Sequence, residues 1–285
     1  MVAVKVAIYH YRNKVLSRRY NSEKVNRAAD EARRKDVSLM CIPPLMNISD
    51  LIGIYQLNRI KAIIRSYAGR IPSSAIEPII KVAEEHSLYI MVGGILERAG
   101  PKLFMTSLLI TPDGRIKGKM RKITISREEL SLGLSPGKIY TSKIIVRKYS
   151  LGVLVDTDLF APEYARLQKI LGAQFFVAFF KRRLRKGSIR TIVKSLALAR
   201  ALETSTPILL CGGIVEHHGE ILYSAPSMIV TPNGIENEVV NEEKLLYWDL
   251  AELNNDNLSA LRLCPISYSS LSDACKELSK LLKYR

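Results

Sequence analysis

Cysteine is scarce in this chain and never closely spaced: Cys41, Cys211, Cys264 and Cys275 contain no CxxC pair. That pattern excludes a zinc ribbon and a disulfide scaffold, and leaves only a Cys264–Cys275 bridge of the kind that intracellular thermophile proteins tolerate. Histidine is as sparse, and no histidine stands at a metal-ligand spacing from another. His10 and His86 read as surface or strand-edge residues, while His217 and His218 precede Gly219 in a hairpin turn. No run approaches the roughly 18 uninterrupted apolar residues that a membrane span requires. The start, MVAVKVAIYHYRNK, lacks the basic, apolar and small-residue segments of a secretory leader. A soluble, cytoplasmic protein with no membrane partner is therefore expected. Three glutamines against abundant Ile, Leu, Lys and Arg hint at a thermophile.

Acidic residues have their own gap. Between Glu163 and Glu203 there is no Asp or Glu, yet ten Lys and Arg fall in that interval, within a chain of net charge +16. A field of that sign favours nucleic acid, an anionic membrane surface or an acidic protein partner. The densest part, FFKRRLRKGSIR at 179–190, makes Lys181, Arg182, Arg183, Arg185, Lys186 and Arg190 the candidate anion-binding residues. Lys14, Arg18, Arg19, Arg33, Arg34 and Lys35 add charge near the start. No RNP, zinc-finger or GxxG signature accompanies them, so nucleic acid would be met mainly through its backbone.

What the chain does contain is a repeat. IMVGGILE at 90–97 is answered by LLCGGIVE at 209–216, and SLLITPDGRI at 107–116 by SMIVTPNGIE at 227–236. The offsets differ by one residue, and Glu84 and Glu203 align in the preceding helical stretches. Each unit reads helix, strand, turn, strand, with PDG and PNG as the hairpin turns. Ahead of the first unit lie a helix, SEKVNRAADEARRK, that Ser22 can cap, and a buried strand, VSLMCIPP; GVLVDTD at 152–158 reads as that strand's counterpart. With 47% hydrophobic residues the chain can bury a large core. Two copies of an αβ unit imply an α/β fold, an αββα four-layer sandwich with an internal pseudo-twofold. On a strand Asp156 and Asp158 would share one face.

These residues resemble the nitrilase, or carbon-nitrogen hydrolase, superfamily from about residue 2 to 265. TPDGRIKGKMRKITI is similar to the family's hairpin followed by GKYRK, and GVLVDTDLFAPE to its GVxICYDxxFPE segment. LALARALETSTPILLCGG resembles the RAxEN segment, and WDL with Arg262 and Pro265 the tail. The resemblance implies a single domain over 1–265, followed by a helical tail at 266–285, and a homodimer of eight layers. It also implies a Glu base, a Cys nucleophile and a Lys that stabilises the oxyanion.

The Lys falls on Lys122. The position of the base falls on Pro44, and that of the thiol on Asp156. A further family Glu falls on Glu129, with a difference of about one residue in the spacing to Ser135, Pro136 and Gly137. Proline accepts no proton, and a carboxylate attacks an amide poorly. No catalytic residue is then expected, only vestigial positions, with Lys122 and Asp156 forming a buried ion pair and Asp158 fixing a loop. The reading is a catalytically inactive nitrilase-like protein that binds an anionic partner. Its alternatives are an amidase-type hydrolase with a displaced nucleophile, Cys211 or Cys41, and a structural subunit using the dimer surface. Asp156, Asp158 and Glu203 are a poor set for a divalent metal without histidine, and no cofactor is expected.

Overall fold

Alternation along the strands sets the layers. In β1 (Lys5–His10), Val6 and Ile8 join one apolar cluster, whereas Ala7 and Tyr9 join another. β3 (Val37–Ile42) divides likewise, with Leu39 and Cys41 on the first side and Met40 and Ile42 on the second. From the other half of the chain, β8 (Tyr149–Val155), β9 (Phe175–Phe179) and β10 (Ile208–Cys211) send Val153, Val155, Val177, Phe179, Leu209 and Cys211 into that same first cluster. The shared cluster is thus the seam between two sheets packed face to face. Helices α1 (Arg18–Arg34) and α4 (Glu77–His86) cover one outer face, and α6 (Pro162–Ile170) and α7 (Ile189–Thr204) the other. This is the αββα sandwich that the repeat implies.

The computed structural model describes residues 4–46, 48–139, 144–182 and 189–254, with Asp273 and Lys276. The Cys264–Cys275 bridge, Arg262, Pro265 and the rest of the 266–285 tail lie outside the described residues. Among those described, no helix is long and apolar enough to cross a membrane.

One sheet runs β15 (Lys244–Asp249), β1, β3, β4 (Tyr89–Ala99), β5 (Lys102–Ile110), β6 (Ile116–Arg121). The other runs β7 (Ile144–Val146), β8, β9, β10, β13 (Ser227–Thr231), β14 (Gly234–Val239). In both, successive pairings are antiparallel, parallel, parallel, antiparallel, antiparallel. The counterpart of β8 is therefore β1, and VSLMCIPP corresponds to β9, one strand later than the sequence reading placed it. Each half begins with two similar parallel strands, and composition does not say which of them is which.

The register refines this equivalence. Val92 and Cys211 both precede a Gly-Gly pair, and they face Ile42 and Phe179. Phe179 faces Val155, and Ile8 faces Cys41, one residue before Ile42. Hence Tyr9 matches Val155, His10 matches Asp156, and Pro44 matches Lys181.

Three local expectations are corrected. α1 starts one turn before Ser22, at Arg18, because the buried Asn21 amide bonds both backbone groups of Lys14 (2.9 and 2.8 Å) and ties the first turn to β2 (Arg12–Lys14). Ser22 Oγ instead donates to the Arg19 carbonyl at 2.9 Å. Asp156 and Asp158 do not share a strand face: β8 stops at Val155, Asp156 has φ +53°, and Asp156–Phe160 form a 3-10 turn. His10 is not a surface residue but fully buried at the end of β1, which lies between β15 and β3.

Candidate functional site

Lys122 emerges where β6 ends, at the junction of the two halves. Its backbone is held on both sides, its N–H donating to Met105 O at 2.8 Å and its carbonyl accepting from Gly137 N at 2.8 Å. Its side chain, fully buried, turns inward. Nζ donates to Glu129 Oε1 at 2.6 Å and Oε2 at 2.8 Å, and also to Asp156 Oδ2.

Glu129 is set by its own helix, α5 (Arg127–Ser131). Ser126 and Glu129 form a reciprocal capping box, Glu129 N–H donating to Ser126 Oγ (3.3 Å) and Ser126 N–H to Glu129 Oε2 (2.9 Å). Asp156 reaches the lysine because the turn after β8 takes the left-handed conformation, uncommon for a residue with a side chain. Asp158 holds the two segments together: its carboxylate accepts from the backbone N–H of Thr124 (2.7 Å) and Ile123 (3.0 Å). Burial pushes the Asp158 carboxyl up to about 6, against those hydrogen bonds.

The fourth member was assigned otherwise by the sequence. Arg182, half-buried, lies 3.2 Å from Glu129 Oε1 and 3.3 Å from Asp156 Oδ2. Two cations and two anions thus close on each other. Isolated, any one of them would cost several kcal/mol to bury.

Lys181, next to it in the chain, is turned into the same junction. It is fully buried, with Nζ 3.0 Å from Asp50 Oδ2, 2.8 Å from Pro44 O and 3.3 Å from Asn13 Oδ1. Tyr223 OH donates to the other oxygen of Asp50, and burial together with Asp50 holds that phenol well above its ordinary range. Pro44 and Lys181, matched by the pseudo-twofold, therefore touch across it. The position that the resemblance gives to the base carries a proline whose carbonyl receives a lysine.

The candidate anion-binding set is corrected accordingly. Lys181 and Arg182 are internal ion-pair partners, because β9 carries them inward from the middle of its sheet; Arg190 is exposed but bonds Glu238 through two nitrogens at 2.8 and 2.9 Å. Arg183, Arg185 and Lys186 lie outside the described residues. Near the start, Lys14 pairs with Glu216, Arg19 with Glu23 and Arg34 with Asp30. Glu203 is engaged by Arg200 (2.7 Å) and Arg166 (3.1 Å) rather than by the Asp156 turn. Among the described residues no cluster of His, Cys, Asp and Glu is arranged to hold a metal.

Neither candidate thiol is exposed. Cys41 and Cys211 sit in the seam between the sheets, fully buried, with Cys211 Sγ donating to Cys41 O at 3.7 Å. Burial pushes both thiols upward, away from the thiolate that attacks. Sequence reasoning missed Asp50, Arg182 and Tyr223 as members of the site. One signal was available: the apolar run of β9 continues through Phe180 without a polar break, so the next residue starts inside the fold.

Comparison with known proteins gives the lineage. The carbon-nitrogen hydrolase family profile matches residues 5–249. An omega-amidase of Xenopus tropicalis is 29% identical over 168 residues, 55% of this chain and 57% of that protein. A nitrilase of Pyrococcus abyssi is 27% identical over 171 residues, 60% of this chain and 62% of its own length. The chain therefore spans less than two thirds of the length of these relatives. Among solved structures, an amidase from Nesterenkonia sp. AN1, which bears acrylamide on its active-site cysteine, superposes with a TM-score of 0.71 at 21% identity. The superposition covers 91% of this chain and 96% of that one.

Proposed function

The chain belongs to the carbon-nitrogen hydrolase family, and from that premise we propose that it is a member whose hydrolytic site is closed by ion pairs and which acts by binding rather than by turnover. One observation carries the reading: Lys122 Nζ, the charge that a developing oxyanion would need, is already held by Glu129 and Asp156 within hydrogen-bond reach. A donor committed to two resident carboxylates is not free to stabilise a new negative charge. Pro44 supplies no proton acceptor from its side chain, and the thiols of Cys41 and Cys211 are in the core. A homodimer with a scaffold role belongs to the same proposal. Any anionic partner would have to be met by Arg183, Arg185 and Lys186 more than by Lys181 and Arg182.

The second reading is an amidase-type hydrolase, and the family match with its named relatives, taken alone, favours it. Omega-amidases and an amidase structure stand among the similar proteins, and the Lys122–Glu129 pair is in place. Ammonia release from a panel of small amides and nitriles separates the two. The closed-site reading expects none above the buffer blank. Release that scales with protein concentration would establish the hydrolase, and its survival in a variant carrying Cys41→Ala and Cys211→Ala would exclude those two thiols as nucleophiles.

A further inference from the structure

The geometry points to Lys122 and Asp156 as the partners of an internal amide bond, with Glu129 as the group that moves the protons. It rests on the closed-site reading, since a lysine consumed in this way cannot serve an oxyanion. The arrangement has the parts that such a condensation needs: an ammonium nitrogen against a carboxylate, a second carboxylate touching that nitrogen, and exclusion of water. Lys122 Nζ contacts Asp156 Oδ2, and both oxygens of Glu129 lie within 2.8 Å of the same nitrogen. Lys122 and Glu129 are fully buried and Asp156 is 2% exposed.

The step balances without any outside reagent. Lys122 enters as an ammonium and Asp156 as a carboxylate. One Nζ proton passes to Glu129, and the freed lone pair attacks Asp156 Cγ. A second Nζ proton and the one carried by Glu129 both go to the departing Asp156 oxygen. The Nζ–Cγ bond forms, one Cγ–O bond breaks, one water leaves, and Glu129 returns to its starting state.

Three features favour the bond. Intramolecular groups held in reacting positions reach effective concentrations of about 10⁵ to 10⁸ M, which offsets the unfavourable loss of an ammonium and a carboxylate in water. Asp156 Oδ2 already accepts from Lys122 Nζ, so the oxygen that departs is the one its proton donor touches. Most specifically, condensation removes one charge of each sign, and what remains is already paired: Glu129 keeps Arg182 at 3.2 Å and the Ser126 N–H at 2.9 Å. Burying two matched charges is less costly than burying four.

Intact mass of the purified, denatured full chain reads the outcome directly. The wild type is expected to weigh one water molecule less than its sequence, and its digest to yield a branched peptide joining the segments that carry Lys122 and Asp156. Lys122→Arg keeps the charge but lacks the amine, and should return the full mass. Glu129→Gln should slow or abolish the loss, whereas Asp156→Asn should form the same branched peptide by releasing ammonia instead of water. A wild type that unfolds cooperatively yet shows the full mass and two separate linear peptides would overturn the inference. So would a loss of water confined to one linear peptide, which marks a succinimide. The closed-site reading fails separately, through amide turnover, and an uncondensed protein that releases no ammonia would retain it while losing this bond.

Discussion

His10 and Asp156 hold the same place in the two halves, each at the end of the strand that opens its unit, and the two ends are closed by different physics. At β1 the closure is neutral. His10 Nε2–H donates to Val240 O at 3.0 Å, so Nδ1 accepts from Ser227 Oγ at 2.8 Å, and that oxygen accepts in turn from Gly212 N–H at 2.9 Å. At β8 the closure is charged, with Asp156, Glu129, Lys122 and Arg182 in mutual contact. Between them, on the pseudo-twofold, Lys181 meets Pro44 and Asp50. One scaffold thus tolerates a histidine relay and an ion cluster at equivalent points. What the difference teaches is that the strand end does not dictate the charge of its closure; the side chains that the rest of the chain brings to it do.

The sharpest way to break the comparison is to unbalance the charged end. Measured against Lys122→Arg, which keeps the charge and cannot condense, Lys122→Met leaves Glu129 and Asp156 facing each other with only Arg182 between them, and should destabilise by about 5 kcal/mol, the upper part of the range for orphaned buried charge. Lys122→Met with Asp156→Leu leaves the Glu129–Arg182 pair matched, and should recover at least half of that loss. Urea unfolding of the three proteins measures both numbers. If the double substitution is as unstable as the single one, the cluster is held by shape rather than by charge balance.

Lys181→Met tests the axis and should cost less, about 4 kcal/mol, because it orphans one carboxylate instead of two. Asp50 would still accept from Tyr223 OH, and Pro44 would lose a donor to its carbonyl. The same unfolding measurement applies. A cost equal to that of Lys122→Met would erase the distinction between the two lysines.

The repeat, the hairpins and the layer order were legible because they follow from periodicity and turn chemistry. His218 and Gly219, for instance, both take positive φ in the turn that joins β11 (Gly213–His217) to β12 (Glu220–Ala225). The meeting of Lys122 with Asp156 was legible only through family resemblance, since 34 residues separate them. The glycine pairs show where letters fail. Gly93 and Gly94 lie inside one continuous strand, β4, where a side chain on Gly93 would strike the Phe179 ring. Gly212 and Gly213 break the corresponding strand, so that β11 leaves the sheet and pairs with β2; a side chain on Gly212 would run into the carbonyl oxygens of Ala225 and Pro226. Identical dipeptides meet different neighbours, and those neighbours come from elsewhere in the chain. The same cause hid Lys181: composition made it part of a basic surface, and only the position of β9 in the middle of its sheet places it inside.

The neutral end gives the smallest effect and a sign that can be worked out in advance. Burial lowers the His10 imidazole to about 4 from its ordinary 6.5. Between those values the unfolded chain binds the proton that the folded chain refuses, so the contribution of His10 is complete above pH 6.5 and declines as pH falls towards 4. Between pH 7 and pH 4.5 the loss should be about 2 to 3 kcal/mol. Asp158 acts in the opposite direction: with its carboxyl raised from 3.8 to about 6, it contributes below 3.8 and loses that contribution as pH rises through 6. Only the difference between the wild type and His10→Asn therefore isolates the imidazole. Urea titrations of both proteins at the two pH values should show the wild type losing more stability than the variant on acidification. Equal losses would mean that His10 takes up its proton within the fold, and that the closure at β1 is no more neutral than the one at β8.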